Sequence, residues 1–181
     1  MQSEEHFSLY KTGRPVIQGT KGIVAAGHYL TAASAMRILL NGGNAFDAAA
    51  AAGFTAPVVE PTAHYSLATE VSILMYHAAT KSLRVISGQG VSPNGATYNF
   101  FNGLGLEKIP TGPSENAELS FTVPGAVDAF ALLLETYGFK RFEEILAPAI
   151  EYAEHGFPMY DYLYNRLTNP AILEQFKRYP P

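Results

Sequence analysis

Residues 88–90, Gly-Gln-Gly, are the part of the sequence whose residue types best fit a binding site. They end a predicted strand, and glycine has no Cβ atom, so the backbone there can approach a ligand closely. The side-chain amide of Gln89 offers both a hydrogen-bond acceptor and donors. We therefore predict that Gln89 lies at a substrate-binding site.

Two other segments carry polar groups that could take part in chemistry. Residues 42–45, Gly-Gly-Asn-Ala, precede a predicted helix whose free N–H groups could hold an anion. They lack the lysine of a phosphate-binding loop and the dinucleotide fingerprint, so a tight turn between helices is the favoured interpretation. Glu60 fits either a general base or a carboxylate that fixes the turn before Pro61, and the second interpretation is favoured.

The remaining reactive residue types form no catalytic or metal-binding pattern. The five histidines show no i, i+4 pairing and no carboxylate at ligand spacing, so we predict no metal and no cofactor. They are His6, His28, His64, His77 and His155. No serine stands in the Gly-x-Ser-x-Gly frame of a nucleophile elbow; the serines considered are Ser34, Ser66, Ser72 and Ser87. We therefore expect any nucleophile to come from outside this chain.

Composition excludes several classes of protein. The chain has 181 residues, of which 48% are hydrophobic and 15% charged, which argues against disorder. A net charge of −4 gives no cationic surface for nucleic acid, and the absence of cysteine excludes disulfides and thiolate metal sites. The N-terminus lacks the pattern of a signal peptide, and the longest apolar tract, Ala48 to Val59, is too short for a membrane span. These features predict a cytoplasmic protein with no membrane partner.

Hydrophobic periodicity predicts an α+β protein with helices outside a mostly antiparallel sheet. Predicted strands cover residues 22–27, 71–77, 83–89 and 121–123. Predicted helices cover 30–40, 44–52, 126–137, 142–155 and most of 160–179, with a short helix near 98–102. Pro57 and Pro61 are expected to end the second helix, and Pro148 is expected to kink or break the helix at 142–155. Both faces of the central hairpin are apolar, which is typical of strands covered on both sides.

Several motifs, in order along the chain, resemble the γ-glutamyltranspeptidase family. The match runs over roughly Gly22 to Pro158 and rests on six segments: residues 24–28, 42–49, 58–61, 123–126, 146–150 and 154–158. One such segment would be weak evidence, whereas six in compatible order are specific.

The resemblance implies an N-terminal-nucleophile (Ntn) hydrolase with a four-layer αββα sandwich. Such a precursor cuts itself in two, and the new N-terminal threonine of the small subunit attacks a γ-glutamyl amide such as glutathione. The acyl group then passes to water or an amine. Residues 1–181 would be one incomplete domain at the front of the large subunit, with residues 1–20 as a lead-in arm. The string Thr62-Ala63-His64 is not the threonine motif, so this chain alone should be inactive and the small subunit should be its partner.

The sequence departs from the family in two places. An arginine that pairs with the substrate α-carboxylate is implied where Gln89 stands, so an acyl group other than glutamyl is an alternative. The family's glycine-rich turn is also missing, because no glycine occurs between Glu60 and Gly88 and residues 64–69 stand there instead. We expect these side chains to reshape or close the nearby pocket. The missing nucleophile and the missing glycines leave a third hypothesis, an inactive paralogue or a stand-alone interaction domain.

Overall fold

A computed structural model describes residues 16–63, 65–110 and 116–178. In chain order these contain α1 (Tyr29–Leu40), α2 (Ala45–Val59), β1 (Val71–His77), β2 (Ser82–Gly88), α3 (Tyr98–Gly103), a short 3-10 helix (Ala117–Ser120), α4 (Ala126–Tyr137), α5 (Phe142–His155), α6 (Asp161–Leu167) and α7 (Pro170–Arg178). The predicted helices are all present, including the short one and the two in the C-terminal segment. His6 and His64, two of the histidines considered above, lie outside the described residues.

Helix α2 lies at the centre of the helical layer and packs against α1, α4 and α5. Its small residues permit this close packing: Ala50 and Ala51 are fully buried. A Cβ atom at Gly53 would lie 2.2 Å from Cζ of Phe130, so the glycine makes room for an aromatic ring of α4. The alanine-rich sequence therefore produces a buried central helix, as predicted.

The prediction that Pro57 and Pro61 end α2 is wrong for Pro57, because the helix continues to Val59, but holds for Pro61, which follows the C-cap residue Glu60. Proline removes one hydrogen-bond donor and crowds the preceding turn. Here the helix is held from three sides by its neighbours, and this packing outweighs the local penalty. Pro148 likewise lies inside α5, which runs without interruption from Phe142 to His155.

The N-terminus of α2 is fixed by a reciprocal cap that also ties two distant segments together. The Asn44 side chain accepts hydrogen bonds from the backbone N–H groups of Phe46 and Asp47, and Asn44 N donates to Asp47 Oδ2 at 2.8 Å. Asp47 is fully buried and accepts two further bonds, from the backbone N–H groups of Phe139 and Lys140. The start of α2 is thereby bound to the link between α4 and α5.

Strands β1 and β2 form an antiparallel hairpin, as predicted, with a register that runs from Val71 opposite Gly88 to His77 opposite Ser82. One face packs on α4 through residues such as Ile73, Met75 and Ile86. The opposite face is exposed, although its residues include four large apolar side chains: Leu74, Tyr76, Leu83 and Val85. Within the described part of the chain, the helices therefore cover one side of a two-stranded sheet.

Two of the predicted strands do not form. Residues 22–27 have no strand conformation, and residues 121–123 lie outside any ladder. Val123 N does donate to Val91 O at 2.9 Å, but one hydrogen bond does not make a strand pair. Both segments are apolar, but an apolar run alone cannot identify a strand when the pairing strand is not known. None of the described helices combines the length and the apolar character of a membrane span.

Candidate functional site

The segment 88–90 runs close to the chain that enters α4, and its glycines are needed for that contact. A Cβ atom at Gly88 would lie 2.7 Å from Cβ of Ala129, and one at Gly125 would lie 2.5 Å from the carbonyl oxygen of Gly88. A Cβ atom at Gly90 would lie 2.4 Å from Val123 O. All three distances are shorter than real carbon contacts allow. The glycines therefore let two backbone segments of the protein pass each other, instead of admitting a ligand as the sequence suggested.

Gln89 itself is exposed, and a hydrogen bond holds its side chain in place. Its Nε2 atom donates to Oγ of Ser72 on the neighbouring strand, at 3.0 Å. Ser72 is also exposed and lies directly opposite Ser87 in the hairpin register. The predicted site residue thus belongs to a small polar group at the open end of the hairpin.

The exposed face of the hairpin changes character along its length. Near the turn, Tyr76 lies opposite Leu83, and next to this pair Leu74 lies opposite Val85. The last pair, towards Gln89, consists of two serines. An apolar surface therefore leads to hydroxyl and amide groups at the open end of the hairpin.

The segment that stands in place of the family's glycine turn is a compact turn held by hydroxyl groups. Ser66 N donates to Thr69 Oγ1 at 3.1 Å, and that hydroxyl donates back to Ser66 O at 2.8 Å. The carbonyl oxygen of Thr69 then accepts from the N–H groups of Gly125 and Ala126, which begin α4. This turn therefore caps α4 and fixes the segment that packs against Gly88 and Gly90.

Tyr65 lies just before this turn and packs against the core. Its hydroxyl is buried and has no hydrogen-bond partner among the described residues, and burial raises the pKa of this phenol. The Tyr65 side chain thus fills space beside the turn.

Glu60 caps the C-terminus of α2, and its contacts are those of a fixing residue. Its Oε2 accepts from Thr31 Oγ1 at 3.3 Å, and its carboxylate packs so tightly on Gly27 that a Cβ there would lie 2.8 Å from Oε1. Tyr160 lies nearby and donates to Val59 O at 2.9 Å. Burial, followed by the charge of Glu60, raises the pKa of Tyr160. These contacts fit a carboxylate that fixes the turn before Pro61, and no hydrogen bond among the described residues joins Glu60 to Gln89.

Residues 42–45 form the tight turn that was favoured over an anion site. Gly42 has a φ of +84°, and Gly43 N donates to Ile38 O at 2.9 Å. The first N–H groups of α2 are taken by the Asn44 side chain. An anion would have to displace this intact cap.

The described histidines are engaged separately. Nδ1 of His28 accepts from Leu30 N and so caps α1, and the ring stacks on Tyr160 at 4.7 Å between centroids. His77 contacts Thr80 Oγ1 at 2.8 Å. In residues 16–63, 65–110 and 116–178, no three His, Asp or Glu side chains come together as metal ligands would.

Ser72 is a partner of Gln89 that the sequence alone does not single out. Its local sequence lacks the frame of a serine nucleophile. The available signal was the hairpin register, because pairing the two predicted strands antiparallel places Ser72 opposite Ser87 and beside Gln89.

The chain matches the Gamma-glutamyltranspeptidase family model over residues 31–180. It is 37% identical over 142 residues to the glutathione hydrolase-like YwrD proenzyme of Bacillus subtilis. This alignment covers 78% of this chain and 26% of that protein. Two solved structures are similar in fold. The γ-glutamyltranspeptidase of Helicobacter pylori has a TM-score of 0.79 and 28% identity, covering 92% of this chain and 46% of that one. The cephalosporin acylase of Bacillus halodurans has a TM-score of 0.80 and 30% identity, covering 98% and 32%.

The chain spans about a quarter of the length of the curated relatives that it matches. The family model, in contrast, covers most of the chain and includes the α2 cap, the hairpin with Gln89, and the helices from α3 to α7. Sequence and fold agree over the same residues. The chain therefore belongs to the γ-glutamyltranspeptidase family.

Proposed function

We propose that this chain is the front portion of an Ntn-type amide hydrolase that forms an acyl-enzyme. The observation that carries the proposal is the family match over residues 31–180, supported by the fold shared with a transpeptidase and with an acylase. The nucleophile is a threonine outside this chain, at the N-terminus of a small subunit made from the same precursor. The chain supplies scaffold and one side of the substrate pocket.

The reaction proceeds in two steps. The threonine hydroxyl oxygen attacks the amide carbonyl carbon while the α-amine of the same residue takes the hydroxyl proton. The C–N bond then breaks, the amine leaves with that proton, and an acyl ester remains on the threonine. Water or an acceptor amine attacks the ester carbonyl and releases the acyl group. Without the threonine, the chain alone has no turnover.

The uncovered sheet face supports the four-layer sandwich as the architecture of the complete protein. Leu74, Tyr76, Leu83 and Val85 expose from 59% to 69% of their surface. Contiguous exposed apolar residues of this kind mark contact surfaces. We expect the second sheet of the sandwich to cover them, with the small subunit as the partner.

The first candidate substrate class is γ-glutamyl amides such as glutathione. It is supported by the family and by the relative described as glutathione hydrolase-like.

The second candidate class is amides whose acyl group lacks an α-carboxylate, and Gln89 specifically favours it. A neutral amide in place of the implied arginine loses a charge-assisted contact worth about 1.5–3 kcal/mol. The fold shared with a protein described as a cephalosporin acylase supports a search beyond γ-glutamyl substrates.

The test uses the complete gene product that carries this chain. A denaturing gel with N-terminal sequencing should show two subunits, the smaller beginning with threonine. Turnover of a γ-glutamyl anilide, compared with anilides of simple acids, then assigns the acyl class. A single uncut band with no turnover of any anilide would reject the enzyme and favour the inactive paralogue.

A further inference from the structure

The open end of the hairpin presents no cation from its own strands to a bound acyl group. The exposed face of β1 and β2 contributes only uncharged side chains, and its last pair is Ser72 with Ser87. Extending the same register by one residue places Glu70 opposite Gln89. Both are exposed, so the charged side chain that this register brings beside Gln89 is an acidic one.

The hydrogen bond between Gln89 and Ser72 determines what the amide offers to a ligand. Nε2 of Gln89 uses one of its two protons on Ser72 Oγ, at 3.0 Å. The other N–H and the carbonyl oxygen Oε1 remain available, and the Ser72 hydroxyl can still donate its own proton. The pair therefore presents both donors and an acceptor in a fixed arrangement.

Ser72 is itself held firmly, whereas Gln89 is not. Ser72 lies within β1, between Val71 and Ile73, which pack against the core. Gln89 lies beyond the last residue of β2, and a free glutamine side chain samples many rotamers. A hydrogen bond made before the substrate arrives removes this freedom in advance and so strengthens binding.

We infer that Ser72 is a positioning residue that holds Gln89 for acyl donors whose remote end is uncharged and both donates and accepts hydrogen bonds, as a primary carboxamide does. A carboxylate at the same place could use only the donors of this pair, would be repelled by the carbonyl oxygen of Gln89, and would gain no cation from the exposed face of the two strands. This inference rests on the proposed function, because it concerns the acyl pocket of that enzyme.

The experiment compares two anilides on the complete gene product. One is the γ-glutamyl anilide, and the other is its isosteric analogue with the α-carboxyl group replaced by a carboxamide. We expect wild type to prefer the carboxamide in kcat/KM by at least about tenfold. Ser72→Ala should raise KM for the carboxamide about three- to tenfold and leave kcat within about twofold.

Two variants serve as controls. Ser72→Thr keeps the hydroxyl and suits a strand, so it should retain the wild-type KM. Thr80→Ala removes an exposed hydroxyl from the turn at the other end of the hairpin, where it contacts Ser82 instead of Gln89, and should leave KM unchanged. A Ser72→Ala variant that behaves like Thr80→Ala would overturn the inference, as would a wild-type preference for the carboxylate.

Failure of the proposed function would look different. If wild type is uncut and cleaves neither anilide, the enzyme proposal and the acyl preference fall together. The positioning of Gln89 is then decided by a crystal structure of the same gene product. Nε2 of Gln89 within about 3.5 Å of Ser72 Oγ supports it, and a larger separation overturns it.

Discussion

Replacing Asp47 by alanine should destabilise the protein more than any other single carboxylate change considered for it. The carboxylate is fully buried and accepts bonds from the backbone N–H groups of Asn44, Phe139 and Lys140, between 2.8 and 3.2 Å. Alanine leaves all three donors without an acceptor and without access to bulk water. The start of α2 and the link between α4 and α5 lose their common anchor.

The magnitude follows from these three donors. Each bond to a charged acceptor contributes about 1.5–3 kcal/mol, and these contributions are not additive within one network. Part of the loss is recovered when the vacated site admits water. We therefore expect Asp47→Ala to lower the free energy of unfolding by about 3–5 kcal/mol. Asp47→Asn keeps one acceptor oxygen but turns an NH₂ group towards another donor, so about 1.5–3 kcal/mol should be lost.

The assay is urea unfolding followed by the helical signal in circular dichroism, with Asp128→Ala as the matched control. Asp128 occupies the first turn of α4, as Asp47 does in α2, but it is exposed. Its removal costs only the interaction with the helix dipole, about 0.3–1 kcal/mol. If the two alanine variants unfold within about 1 kcal/mol of each other, the buried carboxylate does not anchor the fold and the reasoning is wrong.

Three further predictions concern packing, pH and specificity. Gly53→Ala should lose about 1–3 kcal/mol despite the better helix propensity of alanine, because the new methyl group overlaps the ring of Phe130; thermal unfolding measures this. Arg37→Gln should remove a pH-dependent part of stability, since the hydrogen bond from Arg37 at 2.6 Å holds the pKa of Glu151 below its ordinary value. Gln89→Arg should improve kcat/KM for a γ-glutamyl anilide about tenfold or more in the complete gene product.

The sign of the pH effect is fixed by the direction of the pKa shift. A carboxyl group whose pKa is lowered by folding contributes stability above its unfolded value, near pH 4, and loses it as the pH falls through the folded value. The difference between wild type and Arg37→Gln should therefore be present at neutral pH and vanish in acid. A difference that grows on acidification would contradict the assignment to Glu151.

A glycine with open space around it provides the control for the packing prediction at Gly53. Gly103 is the last residue of α3, and a Cβ atom there would meet nothing within 4 Å. Gly103→Ala should be close to neutral. An equal loss in both glycine variants would show that the ring of Phe130 is not what limits position 53.

For the specificity prediction, a variant Gln89→Arg with no gain on the γ-glutamyl substrate would place the residue outside the acyl pocket.

Local chemistry made the helix starts and the hairpin predictable. The Asn44 cap involves only residues 44–47, so the local sequence is enough to predict it. The partner of Gln89 lies 17 residues away, on the neighbouring strand, and could be found only from the register. The predictions for residues 22–27 and for Pro57 were wrong for a related reason, because contacts distant in sequence decided both conformations. Residues 22–27 lack a partner strand, and the packing of α2 against its neighbours carries the helix past Pro57.

The site was predictable in part. The residue types around Gln89 indicated hydrogen bonding, but the glycines on either side were assigned to ligand approach, whereas they serve contacts with the segment before α4. A glycine required by a ligand and one required by another backbone look the same in a single sequence. Only the three-dimensional path of residues 122–125 separates the two.

The close passage of Gly88 and Gly125 restricts how this family member can change by mutation. Each glycine faces main-chain atoms of the other, so no smaller side chain elsewhere can make room for a Cβ atom at either position. A side chain at one glycine would clash with the backbone of the other, whichever residue stands there. A second substitution at the other glycine therefore cannot restore the lost stability. Substitutions at this end of the hairpin are therefore easier at the exposed residues Gln89 and Ser72 than at these two glycines.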